Sequence, residues 1–461
     1  MVHIISQPKN KKPNTFDLFP KLSLKSILTA LMGSFFMLSC SSTEPFTGYS
    51  YDPPDATDTR DKQTDIQKKR IIGFGTPKIW VSNEFNAARL NDAWLMKGKE
   101  GAMDTVVVLI EPENAPINNS PWYGFKIWSD ESQSIILRLE YTDARHRYVP
   151  KWTYNPDDLI WQAMDSVTVS EGDAMMLVYL GPEAKWIAAH PTHPNDYTGL
   201  KNYLVDAGIS ELVQTDTVGY THANRGIIEW KTQQTVASKL QQTPSENMDE
   251  PEQKALNGQG LLLLFSRQHP PEVTGYRTFL HFYNRLHASD DLAIQFRELF
   301  TILAYPMLNP DGVVEGHWRH NLKGIDLNRD WEYFRQPETR AVRDAVSPYA
   351  DLEYSVVYGI DFHSTNENVF YPINEEVVTG IDNFTQRWFP FVAEANPALN
   401  FRSEEFEPNS PISKNWVYKT FGTDALTFEV NDTLSEEAMK QLGITAAESL
   451  MKLLLEELDN Q

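Results

Sequence analysis

The stretch Leu261-Leu-Leu-Leu-Phe265, closely followed by His269-Pro-Pro-Glu272 and then by Tyr276, Phe279, Leu280, Tyr283 and Leu286, decides the architecture. Five consecutive apolar residues read as a strand buried on both faces, and therefore as an interior strand. The apolar residues after Pro271 recur at helical spacing. A His-x-x-Glu pair is thus held at the carboxyl end of an interior strand, where open α/β sheets place their ligand sites. An imidazole and a carboxylate on adjacent turns can face one Zn²⁺, and a third ligand with a free fourth position makes such an ion catalytic.

The third ligand is read from a second buried run. Tyr354-Ser-Val-Val-Tyr-Gly-Ile-Asp-Phe362 ends in His363 and the polar turn Ser364-Thr365-Asn366. Two strand-end histidines and one carboxylate make a His₂Glu set suited to hydrolytic zinc. His281, His287 and His320 carry no such context and read as hydrogen-bonded histidines without a metal role.

Between the ligands lie Leu308-Asn-Pro-Asp-Gly312, His317-Trp-Arg-His-Asn321 and Gly324-Ile-Asp-Leu-Asn-Arg-Asp-Trp331. Asn-Pro-Asp-Gly is a turn on its own terms, and packing alone accounts for it. The arginines carry more. Arg329 beside Asn328 offers a planar fork and an amide, the groups that grip a carboxylate. Arg319 offers a fixed positive charge for an oxyanion. Asp326 can accept the second N–H of a metal-bound imidazole and so set its orientation.

With these residues in view, the chain resembles the zinc metallocarboxypeptidase family. Arg267-Gln-His-Pro-Pro-Glu-Val-Thr-Gly275, the block from Asn309 to Trp331, Asp361-Phe-His363 and Leu426-Thr-Phe-Glu429 carry the likeness, which covers roughly residues 190–455. The resemblance implies that His269, Glu272 and His363 ligate one Zn²⁺ per chain and that Glu429 is the general base. It implies that Arg319 is the oxyanion arginine, that Asn328 and Arg329 hold the terminal carboxylate of a peptide substrate, and that Asp326 braces a ligand. The implied reaction is hydrolysis of a C-terminal peptide bond by zinc-activated water. The fold it implies is an α/β/α catalytic domain with a mixed, mostly parallel sheet.

Two departures bear on substrate choice. Pro271 stands where some members carry an arginine, and the position of a substrate-capping tyrosine falls at Glu407. The same count puts Lys414 at the floor of the side-chain pocket. There a lysine favours an acidic C-terminal residue; the other reading is a solvated loop lysine. Two further functions stay open beside the peptidase: a site that only binds a peptide end or glycan, and an amidase on non-protein substrates.

Upstream, Thr105-Val-Val-Val-Leu-Ile110, Trp122-Tyr-Gly-Phe-Lys-Ile-Trp128, Ser134-Ile-Ile-Leu-Arg-Leu-Glu140 and Met175-Met-Leu-Val-Tyr179 alternate between turn residues. This is an all-β pattern and predicts an antiparallel sandwich over residues 71–188. The order Trp122 to Trp128, Tyr148 to Tyr154, Trp161, then Lys185 to His190 resembles the N-terminal β domain of the cytosolic carboxypeptidase branch. Its aromatics are read as core, with a carbohydrate or peptide face as the alternative. The catalytic domain is placed at 189–461. Residues 234–257 read as an exposed insertion. The span 434–458 reads as an amphipathic helix capped by Ser435.

The amino terminus reads as an address. Lys9, Lys11, Lys12, Lys21 and Lys25 precede an apolar run over 27–38 that is too short to span a bilayer comfortably, and Met37-Leu-Ser-Cys40 ends it. This resembles a bacterial lipoprotein signal over 1–39, with lipid on Cys40 and a flexible tether over 40–70. A plain secretory signal with an incidental cysteine is the alternative. The expected location is the cell envelope, with the membrane met through that lipid. Cys40 is the one cysteine of the chain, so no internal disulfide forms. At 461 residues there is room for two domains, and a 41 % hydrophobic, 12 % aromatic composition supports real cores. A net charge of −22 argues against nucleic acid as a partner.

Overall fold

The computed structural model describes residues 58–459 apart from 116, 143, 159, 193–195, 234–259, 351–355 and 407. Cys40, the signal, the first part of the tether, the 234–257 insertion and Glu407 lie outside the described residues.

Eleven short strands come first: β1 (Ile71–Phe74), β2 (Ile79–Ser82), β3 (Asp92–Met96), β4 (Thr105–Ile110), β5 (Gly124–Ser129), β6 (Gln133–Tyr141), β7 (Lys151–Thr153), β8 (Gln162–Ala163), β9 (Thr168–Ser170), β10 (Asp173–Leu180) and β11 (Lys185–Ala188). They form a six-stranded sheet, β1-β2-β5-β11-β7-β8, and a five-stranded sheet, β3-β4-β6-β10-β9. Alternation explains the pairing of layers. Inward residues of the first sheet (Ile79, Val81, Phe125, Ile127, Ile187) share one core with those of the second (Val106, Val108, Ile135, Leu137, Met176, Val178). The expected sandwich is present, with one departure: β4 and β6 run parallel. The aromatics divide. Trp122, Tyr123 and Tyr148 are core, whereas Trp128 stacks on Trp80 across β2 and β5 on the outer face.

The last segment of the expected tether is not free. Asp65 N–H donates to the Glu113 carbonyl, Lys62 N–H to Lys323 and Thr64 Oγ1 to Leu322. The Gln67 amide spans the carbonyls of Ala88 and Glu315. Ser, Thr, Asp and Lys signalled solvation by their side chains, but here the backbone and short polar groups bind a groove.

The remaining elements build an α/β layer. Its strands are β12 (Val213–Tyr220), β13 (Gly226–Thr232), β14 (Gly260–Ser266), β15 (Phe300–Tyr305), β16 (Val356–Thr365), β17 (Val369–Pro372), β18 (Arg402–Ser403) and β19 (Ala425–Asn431). Its helices are α1 (Asp196–Asp206), α2 (Val273–Leu286), α3 (Asp291–Leu299), α4 (Pro310–Glu315), α5 (Pro337–Val346), α6 (Phe384–Ala395), α7 (Ser413–Phe421) and α8 (Glu436–Asp459). The sheet order is β12-β13-β15-β14-β16-β19-β17-β18, with the central β15, β14, β16 and β19 all parallel. Every residue of β14 is buried, as its unbroken apolar run predicts. From β14 the chain crosses to β15 on one side and then returns to β16 on the other. Their carboxyl ends therefore flank the point at which ligands bind in such sheets. The α8 helix buries Leu442, Ala446, Leu450, Met451 and Leu454 in the core, and Ser435 Oγ accepts from Ala438 N–H at its start. Among the described residues no helix is long and apolar enough to cross a membrane.

Candidate metal centre

After β14 the backbone turns sharply through Arg267, whose φ of +58° is uncommon for a side chain with a Cβ. That buried arginine donates from Nε to the Pro270 carbonyl at 2.9 Å, holding the loop that carries His269. Asn309 braces it from the other side. Its Nδ2 donates to the Gln268 carbonyl, while its Oδ1 accepts from Gly312 N–H and caps α4. Asp311 is fully buried and accepts from Thr221 Oγ1, Ala223 N–H and Arg225. The Asn-Pro-Asp-Gly stretch is a scaffold for the site.

Glu272 sits at the start of α2, and that helix packs directly on β16. Gly275 permits the approach: a Cβ there would lie 2.2 Å from the His363 carbonyl oxygen. Ser364 Oγ accepts from Gly275 N–H at 2.8 Å, and Ser364 N–H donates to Glu272 Oε2 at 3.2 Å. Helix and strand are thereby locked in the relation that brings the predicted ligands together. The ligand atoms of His269, Glu272 and His363 all lie within 4.8 Å of one another. His269 Nδ1 is 2.7 Å from Glu272 Oε1, His363 Nδ1 is 2.7 Å from Glu272 Oε2, and the two Nδ1 atoms are 3.2 Å apart.

The far nitrogens are occupied by carboxylates. His269 Nε2 is 2.9 Å from Asp326 Oδ1, and His363 Nε2 is 2.8 Å from Asp361 Oδ2. A proton on each Nε2 leaves both Nδ1 lone pairs facing the same point, the arrangement in which metal-binding imidazoles are held. Asp326 was expected from the sequence; Asp361 was not. Its signal was present, because residues two apart on a strand share a face and Asp361 precedes His363 by two. Asp361 is in turn held by Gln268 Nε2 and Ser413 Oγ, and Gln268 Oε1 accepts from the Trp331 indole at 2.9 Å.

The electrostatics suit a cation. Burial alone would raise Glu272, but the two imidazoles hold its carboxyl far below the usual range. Burial would lower His363, yet Asp361 and Glu272 hold its imidazole well above the ordinary histidine value. Burial works against Asp326 too, and Arg319 and His269 keep it ionised. Three carboxylates, Asp361 buried and Glu272 and Asp326 largely so, converge on two imidazoles; Arg319 offsets one of them, and the remaining negative charge suits a divalent ion. The donor set, two nitrogens and a carboxylate, fits zinc.

Glu429 lies on β19 directly in register with His363 on β16. Its Oε2 is buried and has no hydrogen-bond partner among the described residues. Burial, with the Glu272 charge behind it, pushes this carboxyl up from the ordinary carboxylate range. A buried carboxyl with an unpaired oxygen beside the ligands is placed to handle a proton.

Arg319 donates from Nε to Asp326 Oδ2 at 2.7 Å, so the carboxylate that orients His269 also orients the guanidinium. Arg319 and Arg329 line one pocket of about 250 Å³ with Asp326, His320, Ile117 and Asn118. The two arginines make it locally basic within an acidic chain. Asn328 points elsewhere: its Oδ1 accepts from Ser413 N–H at 2.9 Å, and its Nδ2 is 3.4 Å from His363 Nε2. Lys414 is 1 % exposed, and its ammonium donates to the Pro372 carbonyl at 2.8 Å. It is neither a solvated loop lysine nor part of the arginine pocket. His281, His287 and His320 are each hydrogen-bonded: His281 to Glu436, His287 to the Tyr283 carbonyl, and His320 to Asn114.

The comparisons with known proteins agree with this geometry. The zinc carboxypeptidase family model matches residues 203–449. Cytosolic carboxypeptidase 6 of Caenorhabditis elegans is 31 % identical over 162 residues, 33 % of this chain and 35 % of that protein. Cytosolic carboxypeptidase-like protein 5 of Danio rerio is 28 % identical over 159 residues, 33 % of this chain and 16 % of its own length. The matched stretch thus spans about a third or less of these curated relatives. In fold, the chain is similar to a metallo-carboxypeptidase from Burkholderia cenocepacia at a TM-score of 0.62 and 16 % identity, covering 82 % of this chain and 100 % of that one. It is similar also to a metallo-carboxypeptidase from Pseudomonas aeruginosa in complex with (2-guanidinoethylmercapto)succinic acid, at 0.60 and 16 %, covering 82 % and 99 %. The family model covers more than half of the residues and includes His269, Glu272, His363 and Glu429, so the chain belongs to the zinc carboxypeptidase family.

Proposed function

We propose that this protein is a zinc-dependent carboxypeptidase that removes the C-terminal residue of peptides bearing a free carboxylate. The observation that carries the reading is the convergence of His269, Glu272 and His363, with an unpartnered buried oxygen of Glu429 in register beside them. When bound there, zinc supplies a Lewis acid that polarises a carbonyl and makes water nucleophilic near neutral pH. Glu429 takes the proton from the attacking water and delivers it to the leaving amine. Arg319, held by Asp326, donates to the oxygen on which charge develops. Arg329 receives the terminal carboxylate and restricts attack to chain ends; Asn328 joins it only if its amide leaves Ser413 N–H.

Acidic C-terminal residues and cell-wall stem peptides are the candidate substrates, drawn to the basic pocket. Lys414 acts there only if its ammonium leaves the Pro372 carbonyl. We further propose that lipid on Cys40 anchors the chain in the bacterial cell envelope. Labelling with a radioactive fatty acid that persists in Cys40→Ser would sink that part.

The direct test is a peptide library offered with free and with amidated C-termini, read by mass spectrometry. Loss of single C-terminal residues from the free set alone, abolished by chelation and restored by zinc, is the expected result. Cleavage of amidated peptides at equal rate would point to the amidase reading. Binding without turnover in zinc-loaded protein would point to a peptide-binding site.

A further inference from the structure

Residues 316–326, which carry Arg319, contain no helix or strand, so their backbone amides need partners from elsewhere. A side chain of the sandwich supplies them. Glu113, in the loop after β4, is 0 % exposed. Its Oε2 accepts from Trp318 N–H at 2.7 Å, and its Oε1 accepts from Arg319 N–H at 3.0 Å and His320 N–H at 2.7 Å. Three consecutive amides thus converge on one carboxylate, and hydrogen bonds to a charged acceptor are about twice as strong as neutral ones. The neighbouring Asn114 continues the grip. Its Nδ2 donates to the Gly324 carbonyl at 3.1 Å and its Oδ1 is 2.6 Å from His320 Nδ1. Gly324 has a φ of +68°, and a Cβ there would lie 2.3 Å from Asn114 Nδ2, so the two loops touch backbone to side chain. Trp318 reaches the opposite way, donating its indole N–H to the Trp122 carbonyl and joining the sandwich core. The segment at 62–65 closes over both loops through Lys323, Leu322 and the Glu113 carbonyl.

We infer that Glu113 is a positioning residue for Arg319: the sandwich folds the arginine's loop onto its buried carboxylate and so aims the guanidinium at the reacting carbonyl. The inference rests on the proposed role of Arg319. It gives the sandwich a part in the chemistry. It also separates metal binding, which needs only residues of the α/β layer, from turnover, which needs both. A displacement of about 1 Å at a reacting group can cost roughly 100-fold in rate.

The test uses the full-length zinc-loaded protein and the fastest free-carboxylate peptide of the library. Glu113→Gln cannot accept from all three amides, because its Nε2 meets one of them donor to donor. The expected result is unchanged zinc content, a fall in kcat of roughly 10- to 100-fold with little change in KM, and faster hydrogen exchange confined to amides 317–321. In an Arg319→Ala background the same substitution should lower kcat no further. A normal kcat, an equal extra loss in the Arg319→Ala background, or loss of zinc overturns the proposal. If Glu113→Gln does not fold, Glu113→Asp keeps the charge and is judged by the same exchange and kcat criteria. Wild-type turnover in Arg319→Ala alone removes the role of Arg319 itself. Slow Arg319→Ala with normal Glu113→Gln removes only the inference made here.

Discussion

His269 and His363 leave the carboxyl ends of β14 and β16, adjacent parallel strands, and Glu429 stands in register on the next strand, β19. Arg319 and Arg329 ride instead on residues 316–335, where the regular structure is one 3-10 turn at Leu327–Arg329. The first region takes its geometry from backbone ladders and from one helix packed on one strand. The second takes it from side chains: Glu113, Asn114, Asp326, and Asp330, which accepts from Arg335 N–H, Gln336 N–H and Thr339 Oγ1. A metal centre can be built into a sheet, whereas a pocket shaped for a substrate end is carried by a loop that other parts must hold.

The comparison predicts that damage to the two regions separates metal from turnover. The largest effect is expected from Glu429→Gln. Zinc content should stay at the wild-type level, while kcat falls by about 10²- to 10⁴-fold, the usual range for a lost general acid-base group. Loss of zinc together with activity would make Glu429 a ligand and redraw the centre. Next is Asp361→Asn, which leaves all three ligands in place but weakens the brace on His363. Competition with a chelator should show zinc bound about 10- to 100-fold more weakly. Unaltered affinity would mean that the charge on Asp361 is not needed to orient His363.

Gly275→Ala should follow, because its methyl group must displace backbone of β16. Overpacking of this kind costs about 1–3 kcal/mol, measurable by denaturant unfolding of the metal-free protein. Zinc affinity should drop with it; a stability loss without any change in zinc binding would show that the helix can slide without moving Glu272.

The smallest effect concerns pH and the loop side. Glu338 is fully buried, with Oε2 accepting from Asn321 Nδ2 and Oε1 without a hydrogen-bond partner among the described residues. Burial, joined by the charges of Asp311 and Asp330, pushes its carboxyl up to about 8. A carboxyl raised on folding is protonated in the native state while the unfolded chain has already released its proton. It therefore removes stability progressively as pH climbs from its ordinary value of 4.5 towards 8. Glu338→Gln should melt higher than the native protein at pH 8, with the gap closing near pH 4. A gap independent of pH would show that Glu338 is ionised in the fold.

What the sequence discloses of the fold and the site follows the same division. The strands and ligands were legible because a buried parallel strand leaves an unbroken apolar run and the residues around its carboxyl end face the site. Glu429 needed the family resemblance, since a strand-end carboxylate has no local mark of its role. Asp361 was readable from strand periodicity and was overlooked. Glu113 could not have been found: it lies 206 residues from Arg319, and a loop glutamate carries no pattern that says which amides it will meet. Residues 62–67 were not legible as bound, because their polar composition is shared by free tethers and by straps that bind through backbone groups. For Lys414 the spacing located a side chain along the chain but not the Pro372 carbonyl that its ammonium meets.

His269, Glu272 and His363, whose ligand atoms converge, would hold the zinc ion on which the proposed reaction depends. Anomalous diffraction from crystals of the zinc-loaded protein, recorded on either side of the zinc absorption edge, tests it most directly. A single strong peak is expected within bonding distance of His269 Nδ1, His363 Nδ1 and Glu272. A peak at the Nε2 side of either ring, or none near these three residues, would contradict it.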